Sequence, residues 1–263
     1  MGSGLIQYLP VIDIQAMSGL RIVTCVNTPS PWSLAARALF DYKQLPYQLG
    51  KQFIADENPD LKAWTGQNSA PVVAYRLSRY QEKIATTAEA ITLLAERLEP
   101  QRPLIPSDPY QRAWMFGLLQ AIAGEDGFGW NRRLMSLSLA DVDGLPDNIR
   151  NMALKYDYSD SLAAVAEQRV AEIMQLFSNT LAKQQARGSD FLVGDALTAL
   201  DLYFAIFIGI MYRPLSDEFL PIPSAMRAGY ELPSKLLDAA IQPNIYVHRD
   251  RIFQQFLTPF MVY

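Results

Sequence analysis

Phe191-Leu192-Val193-Gly194-Asp195 leads through Ala196-Leu197 into Thr198-Ala199-Leu200-Asp201. Thr198 and Asp201 have the spacing of a capping box, with Asp in place of the usual Glu or Gln. The Thr198 hydroxyl can accept from the Asp201 N–H, and the Asp201 carboxylate can reach back to the Thr198 N–H. The helix that follows is apolar almost all round, from Leu202 to Tyr212. A buried helix start has no water for its free N–H groups, so a reciprocal cap matters more there. The run is far shorter than the ~20 residues a membrane span needs. It reads as a helix buried inside a soluble protein.

The sequence around this helix is also helical. Asp108 is a cap and Pro109 a first-turn residue, opening a helix to Ala123. Gly124, Gly127 and Gly129 break or bend the chain, and Trp130 to Leu139 resumes as helix. Asp141 to Asp157 reads as an irregular loop. Ser161 to Arg187 is a long amphipathic helix ending at Gly188, and a last helix surrounds Tyr246 to Leu257. Upstream, Glu99-Pro100-Gln101-Arg102-Pro103-Leu104-Ile105-Pro106 is a proline-rich connector and the expected domain boundary.

Before that connector the periodicity changes. Arg21 to Val26 is short, β-branched and apolar, and reads as a buried strand. Asn27-Thr28-Pro29-Ser30-Pro31 is a turn, after which Leu34, Ala35, Ala38, Leu39 and Tyr42 share a helical face. Ser30 stands where N-cap residues belong and Pro31 suits the first helical position. Tyr47-Gln48-Leu49 begins a second strand, so a βαβ unit opens the protein. A short helix runs through Trp64. Ala70-Pro71-Val72-Val73-Ala74-Tyr75 is a strand with a leading proline, and a cis bond is one reason for a proline there. Glu82 to Ala85 is a short strand, and Thr87 to Leu98 is helix.

Composition narrows the function. The 263 residues are 50% apolar and carry a formal charge of −4, with no basic stripe for a phosphate backbone. One cysteine, Cys25, and one histidine, His248, are too few for a Cys/His zinc site. No acidic cluster has ligand spacing, so no metal is expected. Any Ser-His-acid triad would have to use His248, which reads instead as a surface or helix-partner residue. Cys25 sits mid-strand and reads as packed and inert. Met1 to Leu20 contains Pro10 and Asp13 and lacks a basic start, unlike a signal peptide. Nucleic acid and membrane are not expected partners.

The order of strand, helix, strand, proline-led strand, proline-rich connector and helical remainder resembles the soluble glutathione transferase superfamily over roughly residues 20 to 257. The buried capping box looks like that family's motif. Ala70-Pro71-Val72-Val73 looks like its cis-proline strand. Ser30-Pro31-Trp32, with Arg37 seven residues on, looks like the active-site turn of tau-type members. The resemblance implies a thioredoxin-like α/β N-terminal domain followed by an all-α helical-bundle C-terminal domain. The expected layout is an extension over 1–19, the thioredoxin-like domain over 20–99, a linker over 100–106 and the helical domain over 107–263.

It also implies a divergent enzyme in which the thiolate of glutathione, a co-substrate, attacks a small electrophile. Ser30 is the residue that would stabilise the thiolate. Trp32, Ala70, Pro71, Thr87 and Ala88 fall at glutathione-binding positions. Trp130, Arg132 and Arg133 follow the helix that lines the second-substrate pocket in the family. There Trp130 could stack on a ligand, and an arginine could hold a carboxylate in bidentate fashion; the plainer reading pairs Arg132 or Arg133 with Glu125 or Asp126. A cytoplasmic homodimer is implied in the same way.

Thr87 and Ala88 stand where relatives carry an acid and a serine, and Glu89 is expected to point elsewhere. Asn68 and Ser69 stand where some relatives carry lysines. The alternative is therefore a non-catalytic binding or scaffold protein with a degenerate glutathione site. A third reading is an enzyme that takes another anionic ligand through Arg132 or Arg133.

Overall fold

The computed structural model describes residues 7–78, 81–138, 147–217, 221–231 and 234–257. Its N-terminal half is a five-stranded sheet in the order β1-β3-β2-β4-β5. The strands are β1 (Tyr8–Leu9), β2 (Gly19–Cys25), β3 (Gln48–Gln52), β4 (Val72–Ser78) and β5 (Gln81–Ala85). β3 lies parallel to both β1 and β2, while β4 is antiparallel to β2 and β5. The central strand pairs Ile22 with Leu49 on one side and with Val73 on the other. Both neighbours are buried, which explains why β2 is an apolar run rather than an alternating one.

One face of the sheet carries α2 (Pro31–Tyr42) and α4 (Ala88–Leu98). The other is covered by α1 (Val11–Ala16) and α3 (Pro59–Thr65), where Val11, Ile14, Val23, Leu61 and Val72 form a separate apolar cluster. Residues 8–16 of the expected extension belong to this layer. Tyr8–Leu9 adds an edge strand to β3, and Ile14 is fully buried. Gly50 permits the close approach, because a Cβ there would sit 3.2 Å from Ile14 Cδ1. Arg21 fastens the layer from within the sheet. Its guanidinium donates to Glu82 Oε1 at 2.6 Å and to the Gln15 carbonyl at 3.2 Å.

The helical half contains α5 (Pro109–Ala123), α6 (Phe128–Leu137), α7 (Asp147–Lys155), α8 (Asp160–Gln185) and α9 (Ala199–Met211). Three further helices, α10 (Ser224–Tyr230), α11 (Lys235–Ala240) and α12 (Pro243–Ile252), follow, and the described chain ends in a π-helical turn, Phe253–Leu257. Every residue of α9 is buried. α9 packs against α2, so the sheet domain and the bundle share one apolar core.

The capping box forms at the head of α9. Asp201 Oδ2 accepts from the Thr198 N–H at 2.8 Å and the Thr198 hydroxyl at 2.7 Å, and Oδ1 accepts from the Leu192 N–H at 2.8 Å. His248 Nε2 lies 3.2 Å from Asp201 Oδ1 with both side chains buried, so this histidine is a helix partner inside the core.

The proline-rich connector is tied down by Lys43. Its ammonium donates to Glu96 Oε2 and to the carbonyls of Glu99 and Arg102, at 2.6–2.8 Å. The loop expected over Asp141 to Asp157 is corrected in part: α7 occupies Asp147–Lys155, and 141–146 lie outside the described residues. Ala153 and Tyr156 bury against Leu134, Leu137 and Ala166. Tertiary packing rather than propensity holds so short a helix.

Candidate functional site

A cleft of about 1080 Å³ lies between the sheet domain and the helices α5, α6 and α7. Its sheet-side wall begins at the turn after β2. Ser30 is the N-cap of α2, with Oγ 3.5 Å from the Ser33 N–H and Pro31 in the first helical position. The side chain is buried and still lines the cleft. A hydroxyl has one donor and two acceptor positions, so capping takes an acceptor position and leaves the single Ser30 proton to be shared between the Cys25 sulfur and a group bound in the cleft.

Cys25, at the end of β2, lies on the same wall. Its Sγ donates to Gln52 Oε1 at 3.0 Å, and its N–H donates to Ser33 Oγ. Burial pushes the Cys25 thiol up. Hydrogen bonds from Ser33 and Ser30 and the charges of Lys155 and Arg133 oppose that shift without cancelling it. The thiol is therefore protonated at neutral pH, an unreactive form.

The Ala70–Pro71 bond is cis and stands at the start of β4, on the cleft wall. Thr87 is the N-cap of α4 and accepts from the Ala90 N–H at 3.1 Å. Ala88 follows on the same wall. Glu89, expected to point away, lines the cleft as well. The first turn of α4 thus presents an acid two positions after Thr87. Lys62, Gln67 and Asn68 complete this side.

Trp32 crosses to the helical side. Its Nε1 donates to the Ala123 carbonyl at 2.7 Å, and its ring meets Phe207 edge-on at 4.9 Å. Gly129, the second residue of α6, makes room for it. A Cβ on Gly129 would lie 2.8 Å from Trp32 Cζ2 and 2.6 Å from Phe207 Cε1. Trp130 packs edge-on to Tyr156 at 4.8 Å, and Trp32 lies 6.4 Å from the same ring. Asn151 on α7 donates to the Ala55 carbonyl at 3.2 Å, linking the two walls.

Arg132 and Arg133 separate. Arg133 lines the cleft, bonds to Tyr156 and sits 5.8 Å over the Tyr230 ring. Arg132 does not reach the cleft. It is buried, with Nε donating to the Met211 carbonyl at 2.8 Å and Nη2 to the Tyr230 carbonyl at 3.3 Å. It satisfies carbonyls at the end of α9 and in α10, so the expectation that it lines the second-substrate pocket is corrected. Neither arginine pairs with Glu125 or Asp126 among the described residues; Asp126 meets Arg169 instead, at 3.2 Å.

Ser30, Trp32, Ala70, Pro71, Thr87, Ala88, Trp130 and Arg133 therefore share one cleft. Lys155 and Tyr156 were not legible as members, because they lie in the stretch that reads as a loop. Among the described residues no group of three or more His, Cys, Asp or Glu side chains is placed to hold a metal ion, and no helix is long and apolar enough to cross a membrane.

No family model matches the sequence, and no curated protein matches it. Solved structures do. A glutathione transferase family member from Pseudomonas fluorescens Pf-5, with two glutathione bound, superposes with a TM-score of 0.65 at 12% identity, covering 95% of this chain and 96% of that one. A glutathione transferase from Pseudomonas putida, with one glutathione disulfide bound per subunit, gives 0.64 at 11% identity, covering 95% and 97%. The nitrogen regulation fragment of the yeast prion protein Ure2p gives 0.63 at 12% identity, covering 96% of each chain.

Proposed function

On the glutathione transferase fold that this chain adopts, we propose that the cleft binds glutathione and that the protein transfers it to a small electrophile. The observation that carries this reading is the opening of Ser30, Ala70 and the head of α4 into one cleft whose opposite wall is aromatic and cationic. The backbone of Ala70 pairs with the peptide of glutathione, and the cysteinyl sulfur lies at Ser30. The γ-glutamyl end reaches the first turn of α4. There Glu89 receives the ammonium, and the free N–H groups of Ala88 and Glu89 receive the carboxylate.

Ser30 then acts as donor to the sulfur. A free thiol of pKa ~8.5 is only a few per cent ionised at neutral pH. Lowering that pKa by about two units requires ~2.7 kcal/mol. A hydrogen bond to a charged acceptor contributes ~1.5–3 kcal/mol and a helix N-terminus roughly 0.3–1 kcal/mol. The Ser30 hydroxyl at the start of α2 combines both. The thiol proton leaves to solvent, and the thiolate forms the new bond to the electrophilic atom.

A second reading is a binding or scaffold protein without catalysis. It is favoured by Thr87-Ala88 in place of an acid–serine pair, and one structural neighbour is a nitrogen regulation fragment. Turnover of an electrophile panel with and without glutathione separates the two. Glutathione-dependent consumption that falls in Ser30→Ala is the transferase result. Glutathione binding with no turnover removes the enzyme and leaves the scaffold. The resemblance alone supports a cytoplasmic homodimer.

A further inference from the structure

We propose that Arg133 and Lys155 form an anion subsite in the helical half of the cleft, which selects an aromatic electrophile bearing a carboxylate. This deepens the transferase reading and rests on it. Both side chains line the cleft from neighbouring helices, Arg133 on α6 and Lys155 at the end of α7.

Their contacts are aromatic. Arg133 bonds to Tyr156 and lies over Tyr230, while Lys155 Nζ sits 5.7 Å over the Tyr156 ring. Neither forms an ion pair with an acid among the described residues. Several other cations of the chain do pair, Arg21 and Arg76 with Glu82, Lys43 with Glu96, Arg169 with Asp126 and Glu172, and Lys62 on the opposite cleft wall is a further cation without an ion pair among the described residues. Asp56, Glu57, Glu89 and Glu125 also line the cleft, and none lies within ion-pair distance of either cation.

Two like charges that share a wall without a counter-charge raise each other's energy, and a shared anion reverses that. Desolvation by the surrounding cleft wall lowers the Lys155 pKa, Cys25 opposes that, and Arg133 adds a smaller lowering. A carboxylate between the two heads would replace the missing partner, and an arginine fork matches its geometry. The rings of Trp32, Trp130 and Tyr156 lie beside the pair and suit a flat apolar body. The anion thus comes from the ligand, and its aryl ring is carried toward Ser30.

The probes are 4-chloro-3-nitrobenzoate and its methyl ester, which share one leaving group. In each, the glutathione thiolate forms a C–S bond at the ring carbon, chloride leaves with the C–Cl electron pair, and the thiol proton goes to solvent. The native protein is expected to favour the carboxylate over the ester in kcat/KM. That ratio should fall roughly tenfold in Arg133→Gln and in Lys155→Gln, as for loss of one charge-assisted bond. Arg133→Lys, which keeps the charge, should hold more of the ratio than Arg133→Gln. Lys155 is exposed, so its variant is expected to fold.

A ratio that is unmoved in both variants overturns the subsite. So does an equal loss of glutathione affinity, which would assign the pair to glutathione's own carboxylates. If neither compound turns over, calorimetry of 3-nitrobenzoate alone decides. Binding that weakens in both Gln variants upholds the subsite while the transferase reading fails, and absence of binding overturns the subsite itself.

Discussion

Trp32 Nε1 donates to the Ala123 carbonyl at 2.7 Å, joining the second residue of α2 to the last residue of α5. The bond crosses from the sheet domain to the bundle and forms the floor between the two halves of the cleft. Gly129 permits it, since any side chain there would collide with Trp32 and Phe207. Gly129→Ala is expected to destabilise by ~1–3 kcal/mol, typical of overpacking. A thermal melt checks this: a protein of this size loses roughly 2–4 °C per kcal/mol, and an unchanged midpoint contradicts the close packing.

Ser30 caps α2 and lines the cleft, so its replacement has two separable effects. Ser30→Ala costs about 1 kcal/mol of stability through the lost cap. It is also expected to raise the pKa of glutathione bound as proposed. Because ionisation of the thiol creates the reactive form, activity rises with pH through that pKa, and the variant's profile moves to the alkaline side. Turnover at neutral pH should drop by roughly ten- to a hundredfold, the equivalent of one charge-assisted hydrogen bond. Ser30→Thr retains a hydroxyl and most of the activity. The pH profile of kcat/KM is the readout, and superimposed profiles for native and Ala proteins remove Ser30 from the chemistry.

Asp201 holds Leu192, Thr198 and His248 at once. Asp201→Ala leaves two buried N–H groups and a hydroxyl without that partner and removes the carboxylate 3.2 Å from His248 Nε2. The expected cost is about 3–5 kcal/mol, as for several buried polar groups left unsatisfied. Urea unfolding measures it, and a loss below about 1 kcal/mol, the worth of a simple cap, would show that water replaces the carboxylate.

Glu82 gives the sheet an acid-sensitive joint. Burial alone would raise its pKa, but hydrogen bonds from Trp64 and Arg21 and the charges of Arg21 and Arg76 outweigh burial and hold it below the ordinary value. A carboxyl lowered in the folded state adds stability above its unfolded pKa of ~4.3, and that stability is lost as pH falls through the folded value. The urea midpoints of native protein and Glu82→Gln should therefore differ at pH 7 and converge on acidification. A constant gap contradicts the assignment.

What the sequence discloses is its punctuation. Ser30-Pro31, Asp108-Pro109 and Thr198–Asp201 name their helices, because each cap satisfies backbone groups by local side-chain chemistry. β1 and α1 escape such reading: a two-residue strand and a six-residue helix are too short for periodicity, and pairing with β3 and burial of Ile14 create them. α7 escapes because its support comes from α6 and α8. Arg132 and Arg133 are indistinguishable in sequence, yet successive helical residues turn by about 100°. One arginine faces the end of α9 and the other the cleft, and only the placement of α6 decides which.

Binding of glutathione with its sulfur at Ser30 is tested most directly by a crystal structure of the protein grown with saturating glutathione. The expected result is density along Ala70, with the sulfur within about 3.5 Å of Ser30 Oγ and the γ-glutamyl end at Ala88 and Glu89. An empty cleft at saturating glutathione, or a sulfur directed away from Ser30, would contradict it.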